Sequence, residues 1–279
     1  MESIADFDGF SRIVEESSRE SSRESAQIFT FAHKDVDYGF GDDSLRTSLE
    51  VGAACRSEHP HTKLRDDDGD NISLWNSVYA ELTGQYWIAK HCNAEYIGQQ
   101  QYRRRFPLDE DCDFTQIFEH YSAIACKPLH LGVSVEFQYK YCHGSKYIEA
   151  CEKALKKLHP SLADDYDKYI KGENKIYYSA GLCIPSLQYR EYSDFLFETL
   201  DATLLALDCH TPEDVRLMVE NDIRHRLVPL TDGGTKGAVN YHSQVCAFLG
   251  ERLMTLWLRH NFDGKILELP YNKMENQLI

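Results

Sequence analysis

Residues Arg65–Phe106 read R-D-D-D-G-D-N-I-S-L-W-N-S-V-Y-A-E-L-T-G-Q-Y-W-I-A-K-H-C-N-A-E-Y-I-G-Q-Q-Q-Y-R-R-R-F. An acidic, glycine-bearing loop at Asp66–Asp70 runs into a stretch in which Val78, Leu82, Tyr86 and Ala89 recur at helical spacing and make one apolar stripe. Trp75 and Trp87 read as core beside it. After Asn93 the pattern changes to a short apolar run, the start of a central strand Tyr96–Gln100, and then to three consecutive arginines, Arg103–Arg105. Loop, helix, strand and cationic loop in this order make a unit of an open α/β sheet, in which ligands bind beyond the carboxyl ends of the strands. An anion is therefore expected around Tyr102, Arg103 and Arg104.

Upstream, Gln27–Ala32 (Q-I-F-T-F-A) is a β-rich run that reads as the first strand. Ala32 and His33 fall at its carboxyl end, where in a nucleotide-binding α/β sheet the base or ribose lies, and are candidate nucleotide contacts. Val36–Leu64 reads as loop, with Gly39, Gly41, Gly52 and Pro60. His59 and His61 within it read as exposed, since a zinc site needs three or four ligands. Before the first strand, S-S-R-E-S-S-R-E-S lies in a polar tail, residues 1–26, with too few apolar groups to offset the entropy of ordering.

Downstream, Asp109–Asp113 reads as a solvated acidic loop, Ser145–His159 as a helix stopped by Pro160, Leu162–Ile170 as a shorter helix and Lys175–Ile184 as another core strand. Tyr189–Leu207 is a long amphipathic pattern. Thr211-Pro212-Glu213-Asp214 is a capped helix start with proline in the first turn. Thr231–Gly237 (T-D-G-G-T-K-G) reads as flexible, either a lid that orders over a ligand or a plain connector. The last helix carries Val245, Phe248, Leu249, Leu253, Leu256 and Trp257 on its apolar side, and Lys265–Pro270 is an edge strand.

Composition narrows the function classes. The chain has 279 residues, with 45 acidic against 30 basic ones, a net charge of −15. That balance excludes a nucleic-acid partner, whose binding rests on lysine and arginine neutralising phosphates. It also opposes a broad electrostatic hold on anionic lipid. Nine cysteines without a C-x-x-C pair fit neither a disulfide framework nor a zinc ribbon and point to a reducing compartment. No run approaches the roughly 18 apolar residues of a membrane span, and no apolar signal core opens the chain. A soluble, cytoplasmic protein is expected.

Two chemistries compete for the charged motifs. Asp66, Asp67, Asp68 and Asp70 could hold a divalent cation such as Mn or Mg through carboxylate oxygens, or form a loop whose Asp70 or Ser73 caps the following helix. The cap is the stronger reading and no metal ligand is assigned, because the cluster precedes a helix and does not follow a mid-sheet strand. Arg103 and Arg104 can bind phosphate oxygens bidentately without a metal. The Thr83-Gly84 pair inside a helical pattern costs stability, which points to close approach by another element or by a ligand.

D-D-x-G-D-N-I-S at residues 66–73, E-L-T-G-x-Y-W at 81–87, and Y-I-G followed by Y-R-R-x-F at 96–106 together resemble the glycosyltransferase-like domain family of bacterial capsular polysaccharide and O-antigen gene clusters. The resemblance runs more weakly from Gln27 to Asn276. It implies a single α/β domain over 27–279 with a GT-A-like, mixed and mostly parallel sheet flanked by helices. The implied activity moves a sugar, a galactose form among the candidates, from a nucleotide-sugar donor, expected to be UDP-linked, to a saccharide or lipid-linked saccharide acceptor of capsule or lipopolysaccharide. Such work would place the protein at the inner face of the membrane, in peripheral contact with it. The resemblance puts Glu251 at the general-base position and Asp70, Asn71, Thr83, Gly84 and Tyr102 by the donor. It brings Tyr178 and Ser179 near the sugar. Gln101 and Gln244 depart from the family pattern, where histidine and arginine are usual. These departures keep a second reading open, a catalytically silent sugar- or nucleotide-binding subunit that assists a partner transferase. A metal-dependent hydrolase is a third.

Overall fold

The computed structural model describes residues 26–33, 42–102, 104–178, 180–225, 227–229, 234–270 and 272–273. The tail ahead of Ala26, Arg103, Ser179 and the first residues of the 231–237 stretch lie outside them. In chain order the strands are β1 (Ala26–Ala32), β2 (Arg46–Glu50), β3 (Leu64–Arg65), β4 (Tyr96–Gln101), β5 (Arg104–Arg105), β6 (Ala123–Cys126), β7 (Leu129–His130), β8 (Lys175–Ile176), β9 (Gly181–Pro185), β10 (Ile266–Leu269) and β11 (Asn272–Lys273). The main sheet runs β10-β6-β9-β4-β1-β2-β3. β4, β1, β2 and β3 are mutually parallel, β6 and β10 are parallel, and β9 is wedged antiparallel between β4 and β6. Helices flank this mixed, mostly parallel sheet, which is the GT-A-like arrangement.

Side chains alternate across a strand, and the alternation divides the apolar core in two. Phe29, Phe31, Ile97, Leu182 and Ile184 face the larger cluster, formed with helices Leu82–His91, Ser145–Leu158, Ser186–Ala206 and Val245–Phe262. Ile28, Tyr96 and Cys183 face the smaller one, closed by Phe114 and Ile117 of helix Phe114–His120. All nine cysteines are free thiols. No helix among the described residues is long and apolar enough to cross a membrane.

Several elements depart from the reading of the sequence. The 36–64 stretch is not all loop, because Arg46–Glu50 pairs in parallel with β1. Its buried side chains are largely polar, so no hydrophobic alternation marks it: Arg46 is held by Asp43 at 2.9 Å, and Glu50 by Arg56 at 3.1 Å and His59 at 3.0 Å. The helical stripe of residues 76–91 is two helices, Asn76–Tyr79 and Leu82–His91, broken at Ala80. Lys175–Ile184 is likewise two strands, β8 pairing with β7 and β9 joining the main sheet. Residues 160–172 form short 3₁₀, α and π turns. The glycine-rich 231–237 stretch enters a helix, Gly234–His242.

The acidic loop is organised by a carboxylate inside the protein. Asp66 is fully buried and accepts hydrogen bonds from the Gly52 and Ala53 backbone N–H groups at 2.8 and 3.0 Å, and from the Ser73 and Thr83 hydroxyls at 2.6 Å each. It thereby joins the turn after β2 to the start of helix Leu82–His91. A Cβ on the neighbouring Gly84 would meet Val51 Cγ1 at 2.6 Å and Phe31 Cε1 at 2.9 Å, so that helix lies directly on β1 and the turn after β2. Asp66→Ala strands four donors at once and is expected to cost about 3–5 kcal/mol, the scale of several charge-assisted hydrogen bonds. Urea denaturation of the two proteins measures it.

Candidate active site

A cavity of about 820 Å³ opens at the carboxyl ends of β1, β2 and β4, where His33, Val51 and Gln101 line it. Ligands of open α/β sheets bind at this edge. Its walls come from Arg56, Asn76–Leu82, the start of helix Pro212–Arg224, the 240–244 segment and the first turns of helix Val245–Phe262. The Pro212–Arg224 helix is fixed there by a capping box between Thr211 and Asp214. Arg216 beside it is held by Glu213 and Glu220 at 2.6 and 3.0 Å.

Glu251 lies on the wall with a quarter of its side chain exposed. Burial pushes its carboxyl pKa above the usual range, against the charges of Arg252 and Arg104, which pull it down. Arg252 is itself buried. It donates to Glu251 Oε2 at 3.0 Å, to the Phe248 carbonyl at 2.8 Å and to Gln138 Oε1 at 2.5 Å, which fixes the direction from which it meets Glu251. Arg104 sits with its guanidinium 4.3 Å from the Tyr178 ring centre.

On the sheet side, Gln101 Nε2 donates to both oxygens of Glu81, at 2.7 Å each. Glu81 follows Ala80, whose φ of 45° and ψ of −125° put a non-glycine residue in a sparsely populated backbone region. Asn76 Nδ2 holds this turn, donating to the Ala80 carbonyl at 2.8 Å and to Thr83 Oγ1 at 3.2 Å.

The residues singled out in the sequence divide into those that meet at the cavity and those that build its frame. Glu251 and His33 line it. Tyr102 is buried behind His33, the two rings edge to face at 5.3 Å. Ala32 is buried at the end of β1, its carbonyl accepting from the Val51 N–H at 2.9 Å. Asp70 and Asn71 are not among the lining residues. Asp70 accepts from the Tyr86 hydroxyl at 3.1 Å, and Asn71 closes the acidic loop through the Asp67 and Gly69 carbonyls and the Ser73 N–H. Thr83 and Gly84 serve packing and the Asp66 network. Neither Asp70 nor Ser73 makes a side-chain cap to a helix: Ser73 Oγ joins Asp66 to the Ala54 N–H. Glu81, Arg56, Arg216 and Asn240 line the cavity as well and escaped the sequence reading. Glu81 stood inside the E-L-T-G motif, whereas Arg56, Arg216 and Asn240 carry no local signal.

In the acidic loop the first two carboxylates are already engaged. Four donors already occupy Asp66, Asp67 is paired with Arg65, and β4 ends in Gln101. Among the described residues no group of three His, Cys, Asp or Glu side chains stands at ligand spacing.

Behind Phe248 lies a buried histidine pair. His242 Nε2 is 2.9 Å from the Pro229 carbonyl, which can only accept, so Nε2 carries the proton and Nδ1 accepts from His143 Nδ1 at 3.4 Å. The His143 ring stacks 4.0 Å from Phe248. Burial, with Arg252 and His242 nearby, lowers the His143 pKa to about 3.

An open sheet with one antiparallel strand wedged among parallel ones, and a cavity at their carboxyl ends, defines a GT-A-type fold. The sequence profile described as Domain of unknown function (DUF4422) matches residues 27–218, and the chain belongs to that family. Among solved structures, the apo form of the WbbM bifunctional glycosyltransferase is similar at 21% identity and a TM-score of 0.68, over 90% of this chain and 46% of that one. This chain thus spans less than half of that protein. Core-mannan synthase A from Aspergillus fumigatus, in a Mn/GDP form, overlaps 92% of this chain and 76% of its own at 12% identity and a TM-score of 0.39, a likeness too slight to carry an argument. No curated protein sequence matches the chain.

The depressed His143 pKa has a definite sign in stability. Between the ordinary histidine value of 6.5 and about 3 the unfolded chain binds a proton that the folded protein does not. Stability is therefore full above pH 6.5 and falls as the pH drops through this window, by at most about 1.4 kcal/mol per pH unit. His143→Phe is expected to flatten that segment of the stability profile, measured by denaturant titration at successive pH values.

Proposed function

We propose that the protein is a glycosyltransferase that moves a sugar from a nucleotide-sugar donor, UDP-linked in the first instance, to a saccharide or lipid-linked saccharide acceptor of a surface glycan. Glu251 carries the reading: a carboxylate of raised pKa on the wall of a cavity at the carboxyl ends of β1, β2 and β4, within electrostatic reach of Arg104. The similarity to WbbM in fold supports it.

In this reading the acceptor hydroxyl oxygen attacks the anomeric carbon. A new carbon–oxygen bond forms, the bond to the diphosphate breaks, and its electron pair leaves on the phosphate oxygen. Glu251 takes the hydroxyl proton. Its raised pKa makes it a stronger base than an exposed glutamate, and Arg252 keeps enough ionised form present. Charge grows on the departing diphosphate, so fixed cations stabilise the transition state more than the ground state. Arg103 and Arg104 are assigned that role, with Tyr178 bracing the Arg104 guanidinium through its ring face. His33 and Tyr102 are assigned to the nucleoside of the donor, and the family resemblance gives Ser179 a role toward the sugar.

Purified protein screened by thermal shift against UDP-, GDP- and CMP-sugars and their free nucleotides, with and without manganese, identifies the donor. Glu251→Gln is expected to lower kcat by about 10²- to 10⁴-fold, the usual worth of a general base, with nucleotide affinity unchanged. Arg104→Ala is expected to weaken nucleoside diphosphate binding about tenfold, the loss of one charge-assisted contact. Because Glu251 acts ionised, the acid limb of the rate profile lies above the ordinary glutamate range, and Arg252→Met, which removes a lowering charge, moves it higher. A protein that binds no nucleotide overturns the transferase reading and favours a silent subunit.

A further inference from the structure

Two arginines line the cavity among the described residues, and their surroundings differ. The side-chain nitrogens of Arg216 all face carboxylates: Nε and Nη2 pair with Glu213 at 2.7 and 2.6 Å, and Nη1 with Glu220 at 3.0 Å. Each nitrogen of that guanidinium is taken by its own helix. Arg56 is engaged at one nitrogen. Its Nη1 donates to Glu50 Oε1 at 3.1 Å and to the Val51 carbonyl at 2.7 Å, and among the described residues Nε and Nη2 have no hydrogen-bond partner. Nε–H and one N–H of Nη2 point the same way and form the edge of the fork that grips two oxygens of a phosphate at once.

The anchoring of this side chain begins in the backbone. Arg56 closes a single 3₁₀ turn, Ala53–Cys55, that follows β2. Asp66 accepts from the Gly52 and Ala53 N–H groups, and Ser73 Oγ accepts from the Ala54 N–H at 3.0 Å, which ties the turn to the acidic loop. Glu50, the last residue of β2, has no exposed surface in its side chain, whereas a quarter of the Arg56 side chain is exposed. A carboxylate buried this completely needs partners, and it finds them in Arg56 and in His59, whose Nδ1 lies 3.0 Å from Oε2. The Nη1 end of Arg56 is thus fastened inside the protein, and the edge that carries Nε and Nη2 is not committed to the fold.

We propose that Arg56 is an oxyanion contact of the cavity, its Nε/Nη2 edge binding a phosphate of the substrate bidentately. The inference rests on the transferase reading, which supplies two sources of such a group: the diphosphate of the donor and a phosphate of a lipid-linked acceptor. Arg56 lies beyond the carboxyl end of β2, on the edge where open α/β sheets take their ligands. Glu50 and the Val51 carbonyl hold the guanidinium before the ligand arrives, so little side-chain entropy remains to be lost on binding. Glu50 also offsets part of the charge. Recognition therefore rests on the geometry of the fork, which lysine does not reproduce.

The test separates phosphate from nucleoside. Calorimetry gives the affinities of uridine and UDP, with guanosine and GDP as the second pair, and of inorganic pyrophosphate for protein saturated with the nucleoside diphosphate. Wild type, Arg56→Lys and Arg56→Met are compared, with circular dichroism to confirm folding. Arg56→Met leaves buried Glu50 with His59 alone, so Arg56→Lys, which keeps the charge, carries the test where Arg56→Met does not fold. If the phosphate is the donor's, Arg56→Lys weakens the nucleoside diphosphate about tenfold, the loss of one charge-assisted hydrogen bond, and leaves the nucleoside within about threefold. If it is the acceptor's, nucleoside diphosphate affinity holds and pyrophosphate binding falls about tenfold instead. A nucleoside weakened as much as its diphosphate, or no change for any ligand, overturns the inference and leaves the transferase reading standing. Wild-type protein that binds neither nucleoside diphosphate nor pyrophosphate overturns both.

Discussion

One buried carboxylate sets the frame of the cavity. Asp66 spends its acceptor capacity on two backbone amides and two hydroxyls, and its partners lie on three separate segments: the turn after β2, the loop at Ser73 and the start of helix Leu82–His91. A carboxylate so placed is tolerable only when hydrogen bonds replace the water it has lost. That requirement fixes the three segments relative to one another more tightly than apolar contact, which is non-directional. The cavity wall inherits the constraint, because Asn76, Ala80 and Glu81 hang from the same network.

A second layer of buried polar groups works in the same way along the sheet. Tyr189 donates to Gln99 at 2.5 Å, and Gln99 donates to Gln85 at 3.3 Å, beneath the strand that ends in Gln101. Gln100, on the other face, bonds Thr30 at 2.9 Å and accepts from the Phe106 N–H at 3.1 Å. The Gln99–Gln101 run of β4 is thus hydrogen-bonded on both faces, which specifies its register and holds the strand end steady at the site. A half-satisfied network would have the opposite effect.

These networks also explain which parts of the protein were legible in the sequence. β1, β4, the long helices and the Thr211 cap announce themselves because periodicity and capping are local signals. β2 does not, since Arg46, Thr47 and Glu50 are buried by pairing with residues that a pattern of apolar positions cannot register. The break at Ala80 is invisible for a related reason: alanine is a strong helix former, and the break depends on side-chain contacts from Asn76, Thr83 and Gln101 that no local pattern records. Of the cavity wall, Glu251 was reached through family resemblance, whereas Arg104, singled out by charge, is not among the lining residues. Glu81 was quoted within a motif but read for its neighbours. The D-D-D-G-D run drew attention for metal chemistry, yet its Asp66 is structural and its Asp70 ties down Tyr86.

The small strand that carries Arg104 is not anchored to β4 alone. β5 meets β4 through Gln101 and Arg104, and on its other side pairs antiparallel with β11, Asn272 opposite Arg105 and Lys273 opposite Arg104. The C-terminal segment is thus stitched to the cationic edge from outside. A displacement of β11 is carried through these two residue pairs directly to Arg104.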